Sequence, residues 1–305
     1  MHSKTNTSFS DFLYTLDSNY QKYLRAIPLF NPQETSHWNN QQKKYFAATF
    51  YHLRGHFINF LWYIANFCAD EHIKSLILNN IIEELGIKQR SSHEFLYERF
   101  AKECGVNIHD EIINETHYLP FAKAFNKMHL QWLSLHDNEE RLAAFSAYER
   151  LDNLDYPRLT ELALSFNLSE QALVFFKVHS HVSHFDSTME LLLPIWQKNP
   201  DKLINAFQFI YNHQYQMWHS LSQCLFSLPK QKPDYAACRL FLRNLPGHPS
   251  HRQGQKQATS MPPAALAVLV PLDFDPPFGP QNLRSPMTDA FSYGLIFSLR
   301  KNIRP

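Results

Sequence analysis

The chain has 305 residues, of which 44% are hydrophobic, and its formal net charge is +1. This length suffices for one large or two modest domains with a substantial core, and the near-neutral charge gives no reason to expect nucleic acid or an acidic membrane surface as a partner. The four cysteines are far apart and form no Cys-x-x-Cys pair, which argues against a zinc–thiolate site or a disulfide framework and fits a reducing cytoplasm. Neither a signal peptide nor a membrane-spanning segment is recognisable, so we expect a soluble, cytoplasmic protein.

Apolar residues recur at helical spacing from the N-terminus to about residue 228, and no segment shows convincing strand alternation. Gly86 and Gly105 are typical of helix C-terminal ends, and Asn199-Pro200 is typical of a helix start. We predict helices at about 11–27, 41–68, 70–85, 92–105, 120–135, 139–151, 169–196 and 199–228, with a short one that begins near residue 155. The sequence therefore predicts an all-α bundle of about seven to nine helices.

Three of these predicted helices carry carboxylates or imidazoles in apolar surroundings. Glu83 and Glu84 lie near the end of one helix, in NNIIEELG, and His93 lies early in the next. Glu149 follows aromatic residues in AFSAYERL. Glutamates at such positions usually face solvent, so no single one of them indicates a site. Several helices that each project one carboxylate or imidazole inward are, however, the pattern of a carboxylate-bridged di-iron or di-manganese site.

The stretch VFFKVHSHVSHFDSTMELLL, residues 174–193, carries three histidines and two carboxylates on one predicted helix. Because each helical residue advances by about 100°, four polar residues fall within roughly 60° of one another: His179, Ser183, Asp186 and Glu190. His181 and His184 share a different face. Histidines on a long helix are more often surface or hydrogen-bonded core residues than ligands, but this face offers nitrogen and oxygen ligands in a row.

The composition changes after Pro229. Residues 229–305 contain more than half of the prolines of the chain, and helical periodicity disappears there. We therefore predict a helical domain at residues 8–228 and a Pro-rich, largely irregular C-terminal extension at residues 229–305, for which the sequence offers no function.

The motifs IIEELG, SSHEFLYERFAKECGV, AYERL and FFKVHSHVSHFD, in that order, resemble the heme-oxygenase-like diiron oxidases. These belong to a wider fold family that includes thiaminase II and pyrroloquinoline quinone synthase, and the resemblance covers about residues 40–225. It implies a heme-oxygenase-like helical bundle with a carboxylate–histidine iron site. Carried over residue by residue, the implied ligands are Glu83, His93, Glu149 and His179, with Glu84 as the alternative to Glu83.

The fourth helix departs from the family pattern, which is His-x3-Asp-x2-His. Counted from His179, Ser183 stands at the Asp position and Asp186 at the final His position. Asp186 is the expected substitute ligand, since a carboxylate suits iron. Glu190, or a helix bulge that brings another histidine inward, is the alternative. The resemblance implies two iron ions, and the departure leaves open one or none.

The activity that this resemblance implies is that of an iron-dependent oxidase or oxygenase, which activates dioxygen and acts on a small molecule. Glu83, His93, Glu149 and His179 are the implied catalytic residues, because they would hold iron and leave positions open for dioxygen and substrate. Tyr148 fits a packed core residue better than an electron donor. Relatives are often dimers, so a homodimer is expected from the resemblance alone, whereas nucleic acid and membrane partners are not.

Three other functions fit the same scaffold less well. A non-catalytic interaction or regulatory protein would explain the incomplete fourth-helix motif and the unusual extension. A metal-free enzyme of the thiaminase II kind needs a nucleophilic cysteine supported by carboxylates, and Cys68 and Cys104 lie at helix ends without such neighbours. Heme degradation needs a proximal histidine on the first helix, and residues 11–27 contain none.

Overall fold

The computed structural model describes residues 8–87, 91–181 and 185–228, and within these ranges it contains helices and no strand. The all-α prediction is therefore confirmed. The helices are α1 (Phe9–Leu24), a 3-10 turn (Pro28–Phe30), α2 (Pro32–Thr35), α3 (Asn40–Arg54), α4 (His56–Phe67), α5 (Glu71–Glu84), α6 (His93–Glu103), α7 (Ile108–Asn114), α8 (Pro120–Leu135), α9 (Asn138–Leu164), α10 (Val174–His179), α11 (Asp186–Lys198) and α12 (Pro200–Ser227). The predicted extension at residues 229–305 lies outside the described residues, and the division into two parts stays a prediction.

Short polar side chains begin several of the helices and glycines follow two of them. Asp137 forms a capping box with Glu140 at the start of α9, where each side chain accepts a hydrogen bond from the other's backbone N–H. Ser92 accepts from the Phe95 backbone N–H at 3.1 Å and so begins α6. Gly86 and Gly105, which follow α5 and α6, have φ values of +68° and +79°, a conformation that L side chains rarely adopt. These signals fix the lengths of the helices that line the cavity described below.

The core is a continuous aromatic and aliphatic cluster around the two longest helices, α9 and α12. Phe46 and Phe50 of α3 meet Phe100 of α6, Phe176 of α10 and Trp218 of α12, with ring centroids 4.7–6.4 Å apart within this group. Each such buried ring contributes about 1.5–3 kcal/mol. The packing therefore holds α3, α6, α10 and α12 around a common centre.

Two predicted helix boundaries are wrong. The predicted helix at 41–68 is divided at Gly55 into α3 and α4, as the low helix propensity of glycine allows. Conversely, α9 continues through Pro157 to Leu164, although a proline within a helix costs about 3 kcal/mol. Leu151, Tyr156 and Leu159 are buried on both sides of Pro157, so their burial offsets this cost.

The predicted single helix at 169–196 is also wrong. α10 ends at His179 and α11 begins at Asp186. The Ser180 hydroxyl donates to the Lys177 carbonyl oxygen at 2.9 Å, a local bond of the kind that competes with helix continuation. The argument that placed His179 and Asp186 on one face required an unbroken helix, so it no longer holds.

No helix in the described ranges combines the length and the apolar character that a membrane span requires.

Candidate metal centre

A cavity of about 410 Å³ lies where α5, α6, α9 and α10 meet. Its lining divides into an apolar part and a polar part. The apolar residues are Phe57, Leu96, Val174 and Val178, and the polar residues are Asn80, Glu83, Glu84, Ser91, His93, Glu149, Asp152, Asn153 and His179. This mixture of hydrocarbon and convergent polar groups is typical of a ligand-binding site.

Helix ends position three of the polar side chains. Glu84 is the last residue of α5, His93 is the first residue of α6, and His179 is the last residue of α10. A carboxylate at a helix C-terminus faces the negative end of the helix dipole, which costs about 0.3–1 kcal/mol unless a cation lies nearby. The location of Glu84 therefore favours a bound cation over an empty site.

Among the described residues, Glu84, His93 and His179 form the group that could hold a metal ion, and we call it the metal-binding group. One potential ligand atom from each residue lies within 4.8 Å of the others. His93 Nδ1 lies 2.9 Å from Glu84 Oε1, yet the contact lacks hydrogen-bond geometry. Two ligands about 2.1 Å from one ion, at roughly 90°, are about 3 Å apart. The separation of these two atoms thus fits two ligands of one ion.

His179 is held in a single orientation. Its Nδ1 lies 2.7 Å from the Phe175 carbonyl oxygen, and because a carbonyl only accepts, Nδ1 carries the proton and Nε2 keeps its lone pair. The ring stacks on Tyr156 at a centroid distance of 4.4 Å and lies 4.4 Å from the His93 ring. Burial, together with neighbouring His93, lowers the pKa of His179 to about 3. The imidazole is therefore neutral, as a metal ligand must be.

Two further carboxylates reach the cavity from α9, Glu149 and Asp152. Glu149 is 2% exposed, and its Oε1 has no hydrogen-bond partner among the described residues. Burial, then the charges of Glu84 and Glu83, raise the pKa of Glu149 to about 8. Burial and Glu149 also raise the pKa of Asp152 well above its usual range. A cation in the cavity would offset this repulsion.

Glu84 itself is held as a carboxylate. Burial alone would raise its pKa, but the contact with His93 and the nearby His179 outweigh burial, and the net pKa is lowered. The surroundings of Glu84 thus favour its carboxylate form, and a carboxylate oxygen beside imidazole nitrogens is a ligand set that suits iron.

Only some of the predicted site residues lie close together. The potential ligand atoms of His93 and His179 lie near that of Glu84, which was the alternative to Glu83. Glu83 lines the cavity but is exposed, because successive helical residues point about 100° apart. Glu149 lines the cavity outside the group of three. Asp186 is exposed at the start of α11 and is absent from the cavity lining.

Two of the helix-four residues considered from the sequence, Ser183 and His184, lie outside the described residues, whereas His181 and Glu190 are exposed. Asp152 was not among the predicted residues. Its signal in the sequence was its position three residues after Glu149, in AYERLDNLDY, which places both carboxylates on one face of α9.

The thiol required for a thiaminase-like reaction is not found in this cavity. Cys68 and Cys104 are both buried and neither lines the cavity. Burial raises the pKa of the Cys104 thiol to about 12, which is opposite to the shift that a thiolate nucleophile needs. The cavity therefore favours metal chemistry over cysteine chemistry.

These features define a class: an all-helical protein with a buried carboxylate–histidine group beside a small-molecule cavity. The chain is similar to the crystal structure of a domain of unknown function with a heme oxygenase-like fold from Shewanella denitrificans OS217, with 14% identity and a TM-score of 0.57. The match covers 81% of this chain and 100% of that chain. The heme-oxygenase-like fold predicted from the sequence is thus confirmed. A comparison with curated proteins found no match.

The sequence profile of the iron-containing redox enzymes matches residues 44–208, more than half of the chain. The protein therefore belongs to the iron-containing redox enzyme family. The predicted resemblance is confirmed at this level, and so is an oxidoreductase in the broad sense. The residues present fit iron, because they supply mixed nitrogen and oxygen ligands and a buried carboxylate oxygen that lacks a partner.

Proposed function

We propose that this protein is an iron-dependent oxidase or oxygenase that activates dioxygen and acts on a small molecule in the cavity. The observation that carries the proposal is the convergence of Glu84, His93 and His179, whose ligand atoms lie within 4.8 Å of one another. Two imidazoles and one carboxylate leave coordination positions open, which is the arrangement of many non-heme iron oxygenases.

The residues have distinct roles in this proposal. Glu84, His93 and His179 hold the metal, and ferrous iron, when bound, supplies dioxygen binding and the electrons for dioxygen reduction. The Phe175 carbonyl oxygen accepts a hydrogen bond from the Nδ1–H of His179 and so leaves Nε2 as the nitrogen that can bind the metal. Stacking on Tyr156 prevents that ring from turning away.

The apolar lining determines what else the cavity holds. Phe57, Leu96, Val174 and Val178 bind the hydrocarbon part of a substrate and reduce the water near the metal. A volume of about 410 Å³ lies within the range of pockets that bind small molecules. We therefore propose a small, partly apolar organic substrate.

The test compares two adjacent glutamates. Wild type, Glu84→Gln and the matched control Glu83→Gln are loaded with ferrous iron without oxygen, and the iron bound per chain is measured against free iron. We expect wild type and Glu83→Gln to bind with similar affinity. Glu84→Gln should weaken binding by more than about 100-fold, because losing even an outer-shell partner of a ligand costs 10–100-fold.

Oxygen consumption then separates an enzyme from a binding protein. On addition of oxygen, the loaded wild type should consume dioxygen with oxidation of the iron, and Glu84→Gln should not. Fewer than about 0.2 iron atoms per wild-type chain would contradict the proposal, because a functional site fills substantially. Iron uptake without any oxygen consumption would instead support the non-catalytic alternative.

A further inference from the structure

We infer that Asp152 of α9 supplies a ligand to a second metal position beside the group of Glu84, His93 and His179. This inference rests on the proposed function, since it concerns the same cavity. It also reassigns a ligand, because the family pattern takes the corresponding carboxylate from the helix that carries the histidine, for which the sequence offered Asp186 as the substitute.

The first argument is the placement of Asp152. Glu149 and Asp152 are three residues apart on α9, so their Cβ atoms are about 5–6 Å apart on one face. Both side chains line the 410 Å³ cavity together with Glu84. Asp152, Glu84 and His179 also line an adjoining cavity of about 40 Å³. Asp152 thus lines two cavities together with Glu84 and His179.

The second argument is independent and concerns Glu149. Its Oε1 is buried in the cavity wall and has no partner among the described residues. A buried carboxylate without donors costs several kcal/mol unless it takes up a proton or a cation lies beside it. Asp155, six residues further along α9, shows the alternative, because Tyr20, Gln214 and Trp218 all donate to it. The described residues thus provide donors for the structural carboxylate of Asp155, and they provide none for Glu149 Oε1.

A second ion needs ligands outside the group of three. Two metal ions in one centre are about 3.5–4 Å apart, so ligand atoms that converge on one ion cannot all bind the other. Glu149 and Asp152 line the cavity but lie outside the group of three. Three carboxylates, those of Glu84, Glu149 and Asp152, also carry more negative charge than one divalent ion offsets.

Asp186, the ligand expected from the sequence, does not line the cavity. α10 ends at His179, and Asp186 begins α11 as an exposed residue. A carboxylate in the first turn of a helix is stabilised there by the helix dipole, which accounts for Asp186 without a metal. The second position therefore draws on α9 instead.

The test compares Asp152→Asn with Asp186→Asn, the same chemical change at the two competing residues. Each protein is saturated with ferrous iron without oxygen, and bound iron is counted. We expect about two ions per chain in wild type and in Asp186→Asn, and about one in Asp152→Asn. Two ions retained by Asp152→Asn would overturn the inference. One ion in both wild type and Asp152→Asn would also overturn it while leaving the proposed function intact, whereas no iron in wild type would overturn both.

A second measurement detects the ligand directly and does not depend on Asp152→Asn folding. Asp152→Cys and Asp186→Cys are loaded with cobalt(II), whose bond to a thiolate gives a near-ultraviolet charge-transfer absorption that bonds to oxygen and nitrogen lack. The band should appear in Asp152→Cys and be absent from Asp186→Cys and wild type. A band in Asp186→Cys alone would assign the ligand to α11 and contradict the inference.

Discussion

Two histidine groups in the described part of the molecule, one half-buried and one buried, differ in what surrounds them. In the first, His93 and His179 lie 4.4 Å apart, measured between ring centroids, beside the carboxylate of Glu84. Their potential ligand atoms converge with the carboxylate oxygen within 4.8 Å. We call this group the cavity cluster.

The second group, the histidine trio, consists of His56 on α4, His129 on α8 and His213 on α12. The His129 ring lies 5.5 Å from His56 and 5.1 Å from His213, and Phe125 and Phe209 pack around it. Within the described residues, both ring nitrogens of His129 and one each of His56 and His213 lack a partner. Burial lowers the pKa of His56 and of His213 to about 4 and that of His129 well below its usual value.

Imidazoles without a carboxylate are a poorer ligand set for a divalent cation than imidazoles beside one. Both groups contain neutral imidazoles in an apolar setting, so nitrogen ligands are present in each. In the trio, however, no carboxylate of the described residues contributes to the pKa shifts, and the ring nitrogens do not converge as a group. A divalent cation there would lack an anion to offset the cost of leaving water. The carboxylates therefore make the cavity cluster the stronger candidate for a metal site.

The largest expected effect is the stabilisation of the cavity cluster by iron. When the free ferrous iron concentration is about 1,000 times the dissociation constant, the free energy of unfolding of the wild type should rise by about 4 kcal/mol. His213→Gln, in the trio, should keep this gain. His179→Gln, in the cavity cluster, should reduce it to about 1.4 kcal/mol or less, as follows from a 100-fold weaker affinity.

Denaturant unfolding with and without iron measures these gains, and a chelator should return every protein to its metal-free value. The comparison fails if His213→Gln loses the iron-dependent stabilisation as fully as His179→Gln does, because the trio would then also bind the metal.

The second largest expected effect concerns Asp155, a buried carboxylate of α9. Burial raises the pKa of Asp155 to about 6, although the hydrogen bonds from Gln214, Trp218 and Tyr20 act in the opposite direction. Between pH 4 and pH 6 the folded protein therefore holds a proton that the unfolded chain has released. The free energy of unfolding due to Asp155 falls as pH rises through this window, by about 2–3 kcal/mol up to pH 7.

Unfolding of metal-free wild type and Asp155→Asn at pH 4 to 7 isolates this contribution, because all other groups titrate in both proteins. The wild type should lose more stability with rising pH than the variant. Equal slopes would mean that the three donors fully compensate for burial, so that Asp155 titrates alike in the folded and unfolded states.

Much of the helical framework was predictable because caps, glycines and apolar spacing act locally. His93 and His179 were predictable for a related reason, since imidazoles near apolar helix faces at this spacing resemble a known iron site. The choice between Glu83 and Glu84 was not, because it depends on which side of α5 faces the cavity, and adjacent helical residues point about 100° apart. Whether the protein forms a homodimer in the cytoplasm stays a prediction.

The remaining differences arise from tertiary packing. The break between His179 and Asp186 removes a helix face that periodicity had indicated, and local propensity gives only a weak signal for such a break. Residues before and after Pro157 are buried, and α9 therefore continues past the proline, where local sequence rules predict that the helix ends. Asp152 could not be predicted, since a carboxylate three residues after Glu149 is by itself an ordinary surface pattern. Its role depends on the folded structure, in which α9 and the end of α5 line the same cavity.

The smallest expected effect tests the trio directly. His129→Leu replaces two unpartnered, buried ring nitrogens by hydrocarbon of similar volume, so metal-free protein should gain about 1 kcal/mol at pH 8 after the cost of repacking. The gain should grow as pH falls below about 6.5, because the unfolded wild type binds a proton there that buried His129 excludes. Thermal unfolding should show a midpoint about 2–4 °C higher at pH 8, and iron uptake should be unchanged. A loss of more than about 2 kcal/mol would show that the ring nitrogens have partners, such as ordered water or an ion, and that the trio resembles the cavity cluster more closely than its lack of carboxylates indicates.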